Sequence, residues 1–361
     1  MLENIIHYII RILLRLPENK SRDLGCPKKI LIVRQHNQLG DLLATVSLFR
    51  AIKGKYPESE ITLIVSPANY LAVTKNKFID RIFIYDKKQL FYFSYLIKLW
   101  RLLRESYDIV IVPVNVSISF TSDLIARFSN SGIRIGVSEL NGEINKSAYL
   151  FDRRVVMDWR KHPDCNVSMF CHEILSEFGI TTNDFSAEIN FDKHDTETAE
   201  AFLKETGYQK PMILIGLHVG AGKPPNRWPL KKFAELIERL DRTYNAKFYL
   251  TGSSADREEL SCLKELMTIT ACEFIDRTIP EVAAVISKSD LFITNDTGIM
   301  HVAGATKTSQ VSIFGPTNPY NWAPIGTNKQ FLRKSELIDD ITVDDVFETS
   351  VRFLSRERSL N

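Results

Sequence analysis

Residues 291–314 read LFITNDTGIMHVAGATKTSQVSIF, and this stretch decides the expected fold. Two short apolar runs, Leu291–Thr294 and Gln310–Phe314, are typical of buried strands. Between them a helix is predicted to start near Thr297. A strand, a helix and a second strand in this order predict a unit of parallel β-sheet covered by a helix.

The same alternation continues through most of the chain. Further strands are predicted at Lys29–Arg34, Glu60–Val65, Arg81–Tyr85, Asp108–Pro113, Met212–Leu217, Lys247–Leu250 and Cys272–Ile275. Helices are predicted at Leu42–Lys55, Leu90–Glu105, Leu230–Thr243, Arg257–Met267 and Pro280–Lys288. Two α/β halves of similar size therefore flank the polar stretch Thr181–Pro211, parts of which resemble a linker. The pattern predicts an α/β protein with two doubly wound parallel sheets.

Length and composition agree with two globular domains. The chain has 361 residues, of which 44% are hydrophobic and 25% charged, and its net charge is +2. So small a net charge argues against a nucleic-acid partner, which needs a large basic field. We predict an amphipathic N-terminal helix in residues 1–25, domains at 26–183 and 184–340, and a C-terminal helix in residues 341–361.

The N-terminal residues 1–16, MLENIIHYIIRILLRL, have polar side chains at helical spacing and apolar side chains between them. Such a helix is only about 24 Å long and contains two arginines, which argues against a transmembrane span. No small-residue cleavage site follows, so a secretory signal is not expected. The helix either lies on a membrane surface or packs on the protein, and the basic residues after it favour the membrane surface.

The five cysteines form no CxxC pair and are typical of reduced thiols in a cytoplasmic protein. Four possible zinc ligands lie close together in the sequence, at His162, Cys165, Cys171 and His172. Their spacing fits none of the common zinc patterns, and buried thiols are the more ordinary interpretation. We predict neither a metal site nor a bound cofactor.

The loops after the predicted strands are where ligands bind in sheets of this kind. The first, QHNQLGD (Gln35–Asp41), ends on a carboxylate at a predicted helix start. Asp41 is there either an N-cap or a general base that removes a proton from an acceptor hydroxyl.

A second loop, HVGAGKPPNRWP, spans His218–Pro229. Gly220 and Gly222 would let backbone amides approach a phosphate, with charge from Lys223 and Arg227. The loop is not a P-loop, because its glycine spacing differs and Pro224 replaces the Ser or Thr that holds magnesium. An ordinary loop with solvated charges is the alternative.

A third loop, NDTGIMH, spans Asn295–His301. The amides of Thr297 and Gly298 would face an anion, and His301 would add a hydrogen bond or charge. The alternative is a capped helix with a structural histidine. A fourth loop, Phe314–Pro324, contains rigid Gly-Pro and Asn-Pro turns at a strand end. No Asp-x-Asp pair follows a strand, which favours a metal-free site.

The order and spacing of these loops resemble glycosyltransferase family 9, the lipopolysaccharide heptosyltransferases. The resemblance extends from about Lys29 to Gly326. It is carried by ILIVRQHNQLGDLLATVSLFRAIKGKYP (30–57), HVGAGKPPNRWPLKKFAEL (218–236), SDLFITNDTGIMHVAGA (289–305) and VSIFGPTNPYNWAPIG (311–326).

The resemblance implies a GT-B fold, in which two Rossmann-like domains face each other across a cleft, and inversion at the anomeric carbon of the donor sugar. The donor would be a nucleotide-sugar, usually ADP-heptose, and the acceptor a lipopolysaccharide core or related glycolipid at the cytoplasmic face of the inner membrane. Asp41 would be the catalytic base. The implied donor-binding residues are Gly220, Gly222, Lys223, Arg227, Asp296, Thr297, Gly298 and His301. The C-terminal helix would cross back onto the first domain.

The chain departs from the family pattern in three places. Thr45-Val46-Ser47 replaces Thr-x-Pro, His218-Val219-Gly220 replaces His-Pro-Gly, and Asn226 stands where many relatives have a lysine. Because that lysine would neutralise donor phosphate, the resemblance fixes the reaction better than the sugar. Two alternatives remain: a nucleotide-sugar epimerase of similar fold, and a non-catalytic saccharide-binding protein.

Overall fold

The computed structural model describes residues 11–358 of the chain. It divides into two compact units, Met1–Phe185 and Ser186–Asn361. The boundary lies two residues after the predicted end of the first domain at residue 183. Each unit is built around its own parallel sheet, as the alternation of strands and helices predicts.

The first domain begins with residues 11–14, which are helical and form the described part of α1. Its strands are β1 (Lys29–Arg34), β2 (Glu60–Val65), β3 (Arg81–Ile84), β4 (Ser106–Ile111), β5 (Asn130–Leu140), β6 (Glu143–Ile144) and β7 (Arg153–Met157). Its remaining helices are α2 (Leu39–Ala44), α3 (Val46–Lys55), α4 (Phe93–Arg104), α5 (Phe120–Phe128), α6 (Val167–Phe170) and α7 (Glu173–Ser176).

The prediction of an N-terminal helix reaching residue 25 is wrong at its C-terminal end. Residues 15–27 have no regular secondary structure. Pro17 supplies no backbone N–H, and Gly25 has a φ of 66°, in the left-handed region that glycine adopts readily. Residues 1–10, where the predicted helix begins, are outside the described part of the chain.

The second domain has six strands in its described residues: β8 (Ile213–His218), β9 (Ala246–Gly252), β10 (Cys272–Ile275), β11 (Leu291–Asn295), β12 (Ser309–Ile313) and β13 (Lys329–Leu332). Its helices are α8 (Lys193–Glu205), α9 (Leu230–Thr243), α10 (Arg257–Leu266), α11 (Ile279–Ser287), α12 (Gly298–Gly304), α13 (Pro319–Trp322) and α14 (Val343–Arg358). Helix α8 lies in the stretch interpreted as polar and linker-like. Asp192 and Asp195 cap it reciprocally, each carboxylate accepting from the other residue's backbone N–H.

The C-terminal helix is part of the second domain. The α14 side chains Val346, Phe353 and Leu354 are buried in the same core as the α9 side chains Phe233 and Leu236. The predicted crossing of this helix back onto the first domain stays a prediction. Residues 343–358 pack on the second domain. The physical reason is the apolar face of α14, which is buried in the second domain's own core.

Both sheets have the strand order of a doubly wound fold. The first runs β3-β2-β1-β4-β5-β6, with β7 paired to β5, and the second runs β10-β9-β8-β11-β12-β13. All pairings are parallel among the described strands except that of β5 with β6. In both sheets the chain first adds strands on one side and then returns to add them on the other.

The central strands are mostly apolar and are buried along nearly their whole length, because helices cover both faces of a parallel sheet. Strand β8 is buried at every residue, and so is β11. Gly216, in the middle of β8, allows the aromatic rings of Tyr249 and Phe292 to approach the backbone. Gly216 is the register partner of Tyr249 in β9 and of Phe292 in β11, so both rings pack over it.

We expect Gly216→Ala to destabilise the second domain by about 1–3 kcal/mol, because overpacking a well-filled core has this cost. A β-carbon there would lie 2.7 Å from Cδ2 of Phe292 and closer still to the ring of Tyr249. Gly222→Ala is the matched control, since nothing lies within 4 Å of its β-carbon position. Thermal unfolding checks both. Equal melting temperatures for the two variants would contradict the close packing at Gly216.

Candidate functional site

The candidate residues lie where the strand order reverses in each sheet. In the first sheet this point is between β1 and β4, and in the second it is between β8 and β11. Open α/β sheets bind ligands outside the carboxyl ends of the strands at such a point. Asp41 lies in the first helix after β1. Residues 219–229 follow β8, and residues 296–301 follow β11 and include the start of α12. The topology thus puts the predicted residues of each domain at its natural ligand-binding edge.

In the first domain, Asp41 pairs with a buried arginine. Nη2 of Arg34, the last residue of β1, lies 3.5 Å from Oδ2 of Asp41, and both side chains are less than a tenth exposed. Burial lowers the pKa of Arg34, while the neighbouring Asp41 carboxylate acts to raise it. A buried ion pair of this kind fixes the direction of the carboxylate, because leaving either charge alone would be costly.

Two neutral groups complete the surroundings of this ion pair. The Asn115 amide, in the loop after β4, has Nδ2 3.4 Å from Oδ1 of Asp41; turned by 180°, its oxygen accepts from Nη2 of Arg34 at 3.3 Å. Nδ1 of His36 is hydrogen-bonded to Nη1 of Arg34. Burial, reinforced by the charge of Arg34, lowers the pKa of His36 to about 4. His36 is therefore a neutral imidazole at neutral pH.

The N-cap interpretation of Asp41 is wrong. Gln38 is the N-cap residue of α2, and Asp41 is the third residue of the helix. A carboxylate in the first turn is still favoured by the helix dipole. Thr45 Oγ1 donates to the Asp41 carbonyl at 2.8 Å, at the point where α2 ends and α3 begins. The carboxylate is thus held by Arg34 instead of capping the helix.

In the second domain, Asn295 fastens the loop after β8 to the end of β11. Its Oδ1 accepts from the Trp228 N–H at 3.1 Å, and its Nδ2 donates to the Val219 carbonyl at 2.7 Å. Asn295 is completely buried. Trp228 is buried too, and its Nε1 donates to the Ile341 carbonyl at 2.9 Å. Both ends of the loop are therefore fixed to the sheet.

Within this loop the two predicted glycines and the two predicted cations have different roles. Gly220 packs so closely on Asp256 that a β-carbon would overlap the carboxylate, whereas Gly222 is open to solvent. Arg227 pairs with Glu259 and donates from Nε to the Ala221 carbonyl at 2.9 Å. Lys223 is exposed. Since the charge of Arg227 is already balanced, Lys223 is the better cation for a phosphate.

The loop after β11 brings Asp296 against Asn226. Nδ2 of Asn226 donates to Oδ2 of Asp296 at 2.8 Å. Burial raises the pKa of Asp296, while a hydrogen bond from Thr317 and the charge of Lys223 act in the opposite direction. Asn226 itself is buried. The residue that departs from the family pattern is therefore a direct partner of a predicted donor-binding carboxylate.

Thr297 and Gly298 lie at the start of α12, with Thr297 as the N-cap residue in an extended conformation and Gly298 as the first helical residue. His301 is in the same helix, and its ring meets that of Trp322 edge to face, with centroids 6.4 Å apart. Trp322 belongs to the fourth predicted loop. The structure thus brings three of the predicted loops together at one edge of the second sheet.

Sequence reasoning missed the partners of these residues. Arg34 was assigned only to a strand, and Asn115 and Asn295 were given no role. A charged residue at the end of an otherwise apolar buried strand was the available signal for Arg34, because buried charges need a partner. Within residues 11–358, no group of three or more His, Cys, Asp or Glu side chains is arranged to hold a metal ion.

Residues 96–344 match the model of glycosyltransferase family 9 (heptosyltransferase). A lipopolysaccharide heptosyltransferase 3 from Escherichia coli is 23% identical over 309 residues, which are 80% of this chain and 84% of the relative.

Two solved structures have the same fold. A family 9 glycosyl transferase from Veillonella parvula DSM 2008 superposes with a TM-score of 0.82 at 21% identity, covering 93% of this chain and all of that one. The E. coli ADP-heptose lps heptosyltransferase II has a TM-score of 0.74 at 19% identity, covering 91% and 99% of the two chains.

These similarities define the class of the protein as a glycosyltransferase of GT-B fold, built from two Rossmann-like domains. More particularly, the chain belongs to glycosyltransferase family 9, the heptosyltransferase family. The expected family and fold are thereby confirmed, and the family is one of transferases and not of epimerases.

We expect Arg34→Met to lower the free energy of unfolding of the first domain by about 3–5 kcal/mol, because it leaves a buried carboxylate without its cation. The double variant Arg34→Met/Asp41→Asn should recover part of this loss, since it removes both charges. Hydrogen exchange of the β1 and β4 amides, followed by mass spectrometry, measures the effect in the first domain. Wild-type protection in Arg34→Met would contradict the importance of the pair.

Proposed function

We propose that the protein is an inverting glycosyltransferase that moves heptose from ADP-heptose onto a lipopolysaccharide core or related glycolipid acceptor. The observation that carries the proposal is the family match over residues 96–344. The names of the relatives support the substrates: one is a lipopolysaccharide heptosyltransferase, and another is an ADP-heptose heptosyltransferase. The strand-end positions of the predicted residues in both domains agree with this chemistry.

In this proposal the second domain binds the donor diphosphate. Lys223 supplies positive charge, and the backbone at Gly220, Gly222, Thr297 and Gly298 supplies N–H donors. Arg227, already paired with Glu259, orients the loop through the Ala221 carbonyl. His301 stabilises the charge that grows on the leaving diphosphate, and such preorganised donors are a major part of catalysis.

Asp296 contacts the donor sugar in this scheme, and Asn226 orients it. Asn226 donates to Oδ2 of Asp296 at 2.8 Å, and Thr317 also donates to this carboxylate, so two hydrogen bonds fix its direction. An asparagine donates to a carboxylate without adding charge, whereas a lysine would add one. We therefore assign to Lys223 the phosphate charge that a lysine at position 226 would supply in relatives.

The first domain provides the base. Asp41 accepts the proton of the acceptor hydroxyl while the hydroxyl oxygen attacks the anomeric carbon from the face opposite the diphosphate. The bond between that carbon and the phosphate oxygen breaks, and ADP leaves with the electron pair. Arg34 holds the carboxylate in position, and neutral His36 adds no competing charge nearby.

We further propose that transfer needs no metal and that the enzyme works at the cytoplasmic surface of the inner membrane. The cationic and N–H groups of the second domain would balance the diphosphate. A glycolipid acceptor requires access to a membrane surface, and residues 1–16 have the amphipathic pattern of an interfacial segment. No helix in the described residues is long and apolar enough to cross a bilayer.

We expect Asp41→Asn to reduce kcat for heptose transfer by at least about a hundredfold, because general bases contribute on this scale. The affinity for ADP should not change, since the donor residues belong to the other domain. Asp80→Asn, at a half-exposed carboxylate of the same domain that pairs with Lys53, is the matched control and should keep full activity. Normal turnover of Asp41→Asn would eliminate the proposed base.

The donor assignment predicts that the purified protein binds ADP more tightly than GDP, UDP or CDP, and equally well with Mg²⁺ or with a chelator. Lys223→Ala should weaken ADP binding about tenfold, the scale of one charge-assisted hydrogen bond. Lys231→Ala, at an exposed lysine in the first turn of α9, serves as a control. Titration calorimetry measures all of these affinities. A requirement for Mg²⁺ or a preference for another base would overturn the metal-free or the ADP assignment respectively.

A further inference from the structure

The first domain presents an apolar helix face that its own core does not use. In α4, only Tyr95 and Leu102 are buried. Phe93 is 77% exposed, and Trp100 is 60% exposed. Four apolar residues lie at helix positions i, i+3, i+7 and i+10, in the order Phe93, Leu96, Trp100 and Leu103. They form one continuous stripe along the helix. Phe91 and Tyr92, directly before the helix, extend the exposed aromatic surface.

The charged side chains in and just before α4 are basic. Residues 87–104 contain five basic side chains, Lys87, Lys88, Lys98, Arg101 and Arg104, and no acidic ones. Glu105, which follows, is held by Arg81, with Nη2 of Arg81 donating to Oε1 at 2.9 Å. The guanidinium of Arg104 lies 5.9 Å from the centre of the Trp100 ring. Asp86, directly before the segment, accepts from the Lys88 N–H at 2.9 Å. The exposed aromatic stripe is thus accompanied by an excess of positive charge.

The stripe continues into a groove and towards the N-terminal segment. The groove, of about 600 Å³, is lined by Trp100 and Leu103 on one side and by Arg127 and Phe128 on the other. Nε of Arg127 donates to the Leu14 carbonyl at 2.7 Å, which ties the end of α1 to this edge. The α1 side chains Ile12 and Leu13 are also exposed. Two apolar, basic helices therefore share one side of the first domain.

We propose that the α4 face, defined as Phe91, Tyr92, Phe93, Leu96 and Trp100 with its flanking lysines and arginines, docks onto the surface of an anionic phospholipid bilayer. Aromatic rings favour the boundary between headgroups and acyl chains. Basic side chains are attracted to anionic lipid, and their long stems let them reach the headgroups. A protein partner would need an acidic face to match these charges, whereas an anionic bilayer presents negative charge over its whole surface.

The inference goes beyond the proposed transferase activity, since neither donor binding nor proton transfer involves α4. It makes attachment of the protein to the bilayer a property of the folded first domain, and not of residues 1–16 alone. Side chains of the candidate sites and side chains of α4 can therefore be substituted separately, so that transfer and membrane binding are tested one at a time.

The test uses the full chain and vesicles of phosphatidylethanolamine with phosphatidylglycerol, compared with phosphatidylcholine alone. In sedimentation, the wild type should bind the anionic vesicles and lose affinity as salt rises. Phe93→Ser/Trp100→Ser should reduce the partition coefficient about tenfold or more, because two large apolar side chains leave the interface. Leu266→Ser/Leu337→Ser, an exposed apolar pair of the second domain, is the matched control and should bind as the wild type does.

A conservative variant separates a direct contact from a loss of folding. Trp100→Phe should bind the vesicles as well as the wild type, but quenching of tryptophan fluorescence by brominated acyl chains should fall sharply. Unchanged melting temperatures show that the variants are folded.

The proposal is overturned if the serine variant binds like the wild type, if the wild type binds phosphatidylcholine equally well, or if quenching persists without Trp100. A concentration-dependent dimer that Trp100→Ser abolishes, without vesicle binding by the wild type, would instead identify the face as a contact between copies.

Discussion

The reversal of strand order in each parallel sheet is the constraint on which the candidate sites depend. A loop leaving β1 and a loop leaving β4 run in opposite directions, so their first residues border an open space that no neighbouring connection fills. The same holds for β8 and β11. Polar residues at these strand ends can be buried from the sides and still face a ligand, and the contacts of Asp41 with Arg34 and of Asp296 with Asn226 lie there.

Those contacts differ in kind between the two domains. The first domain uses charge, because Arg34 and Asp41 are both buried and each is stable only beside the other. The second domain uses neutral amides: Asn295 fixes the loop backbone, and Asn226 bonds Asp296. The neutral amides add no charge of their own, and the positive charge of Lys223 acts to lower the pKa of the neighbouring Asp296 carboxylate.

Much of the fold could be predicted from the sequence because buried parallel strands are unbroken apolar runs. The limits of β1, β2, β10 and α9 were predicted as the structure has them. The strands β5, β6 and β7 were not recognised, since residues 130–157 mix polar and apolar side chains without a clear period. Helix α8 was missed for a similar reason, as its few buried side chains lie among many charged ones.

The candidate site was predictable only in part. The strand-end positions of Asp41, Lys223 and Asp296 follow from local pattern, but their partners do not. Asn226 is 70 residues from Asp296 in the chain, and Asn115 is 74 residues from Asp41, so only the folded sheet brings them together. The pairing of Arg227 with Glu259 is another long-range contact, and it changes which cation is available to a phosphate.

The central claim is glycosyl transfer from an ADP-activated heptose to a lipid-linked saccharide. Its most direct test is to incubate the protein with ADP-heptose and a heptose-deficient lipopolysaccharide core, and to follow both products by mass spectrometry. We expect the acceptor to gain the mass of one heptose for each ADP released, with little ADP formed when the acceptor is absent. Conversion of the donor without an acceptor, or no change in the acceptor while other nucleotide-sugars are consumed, would contradict the account.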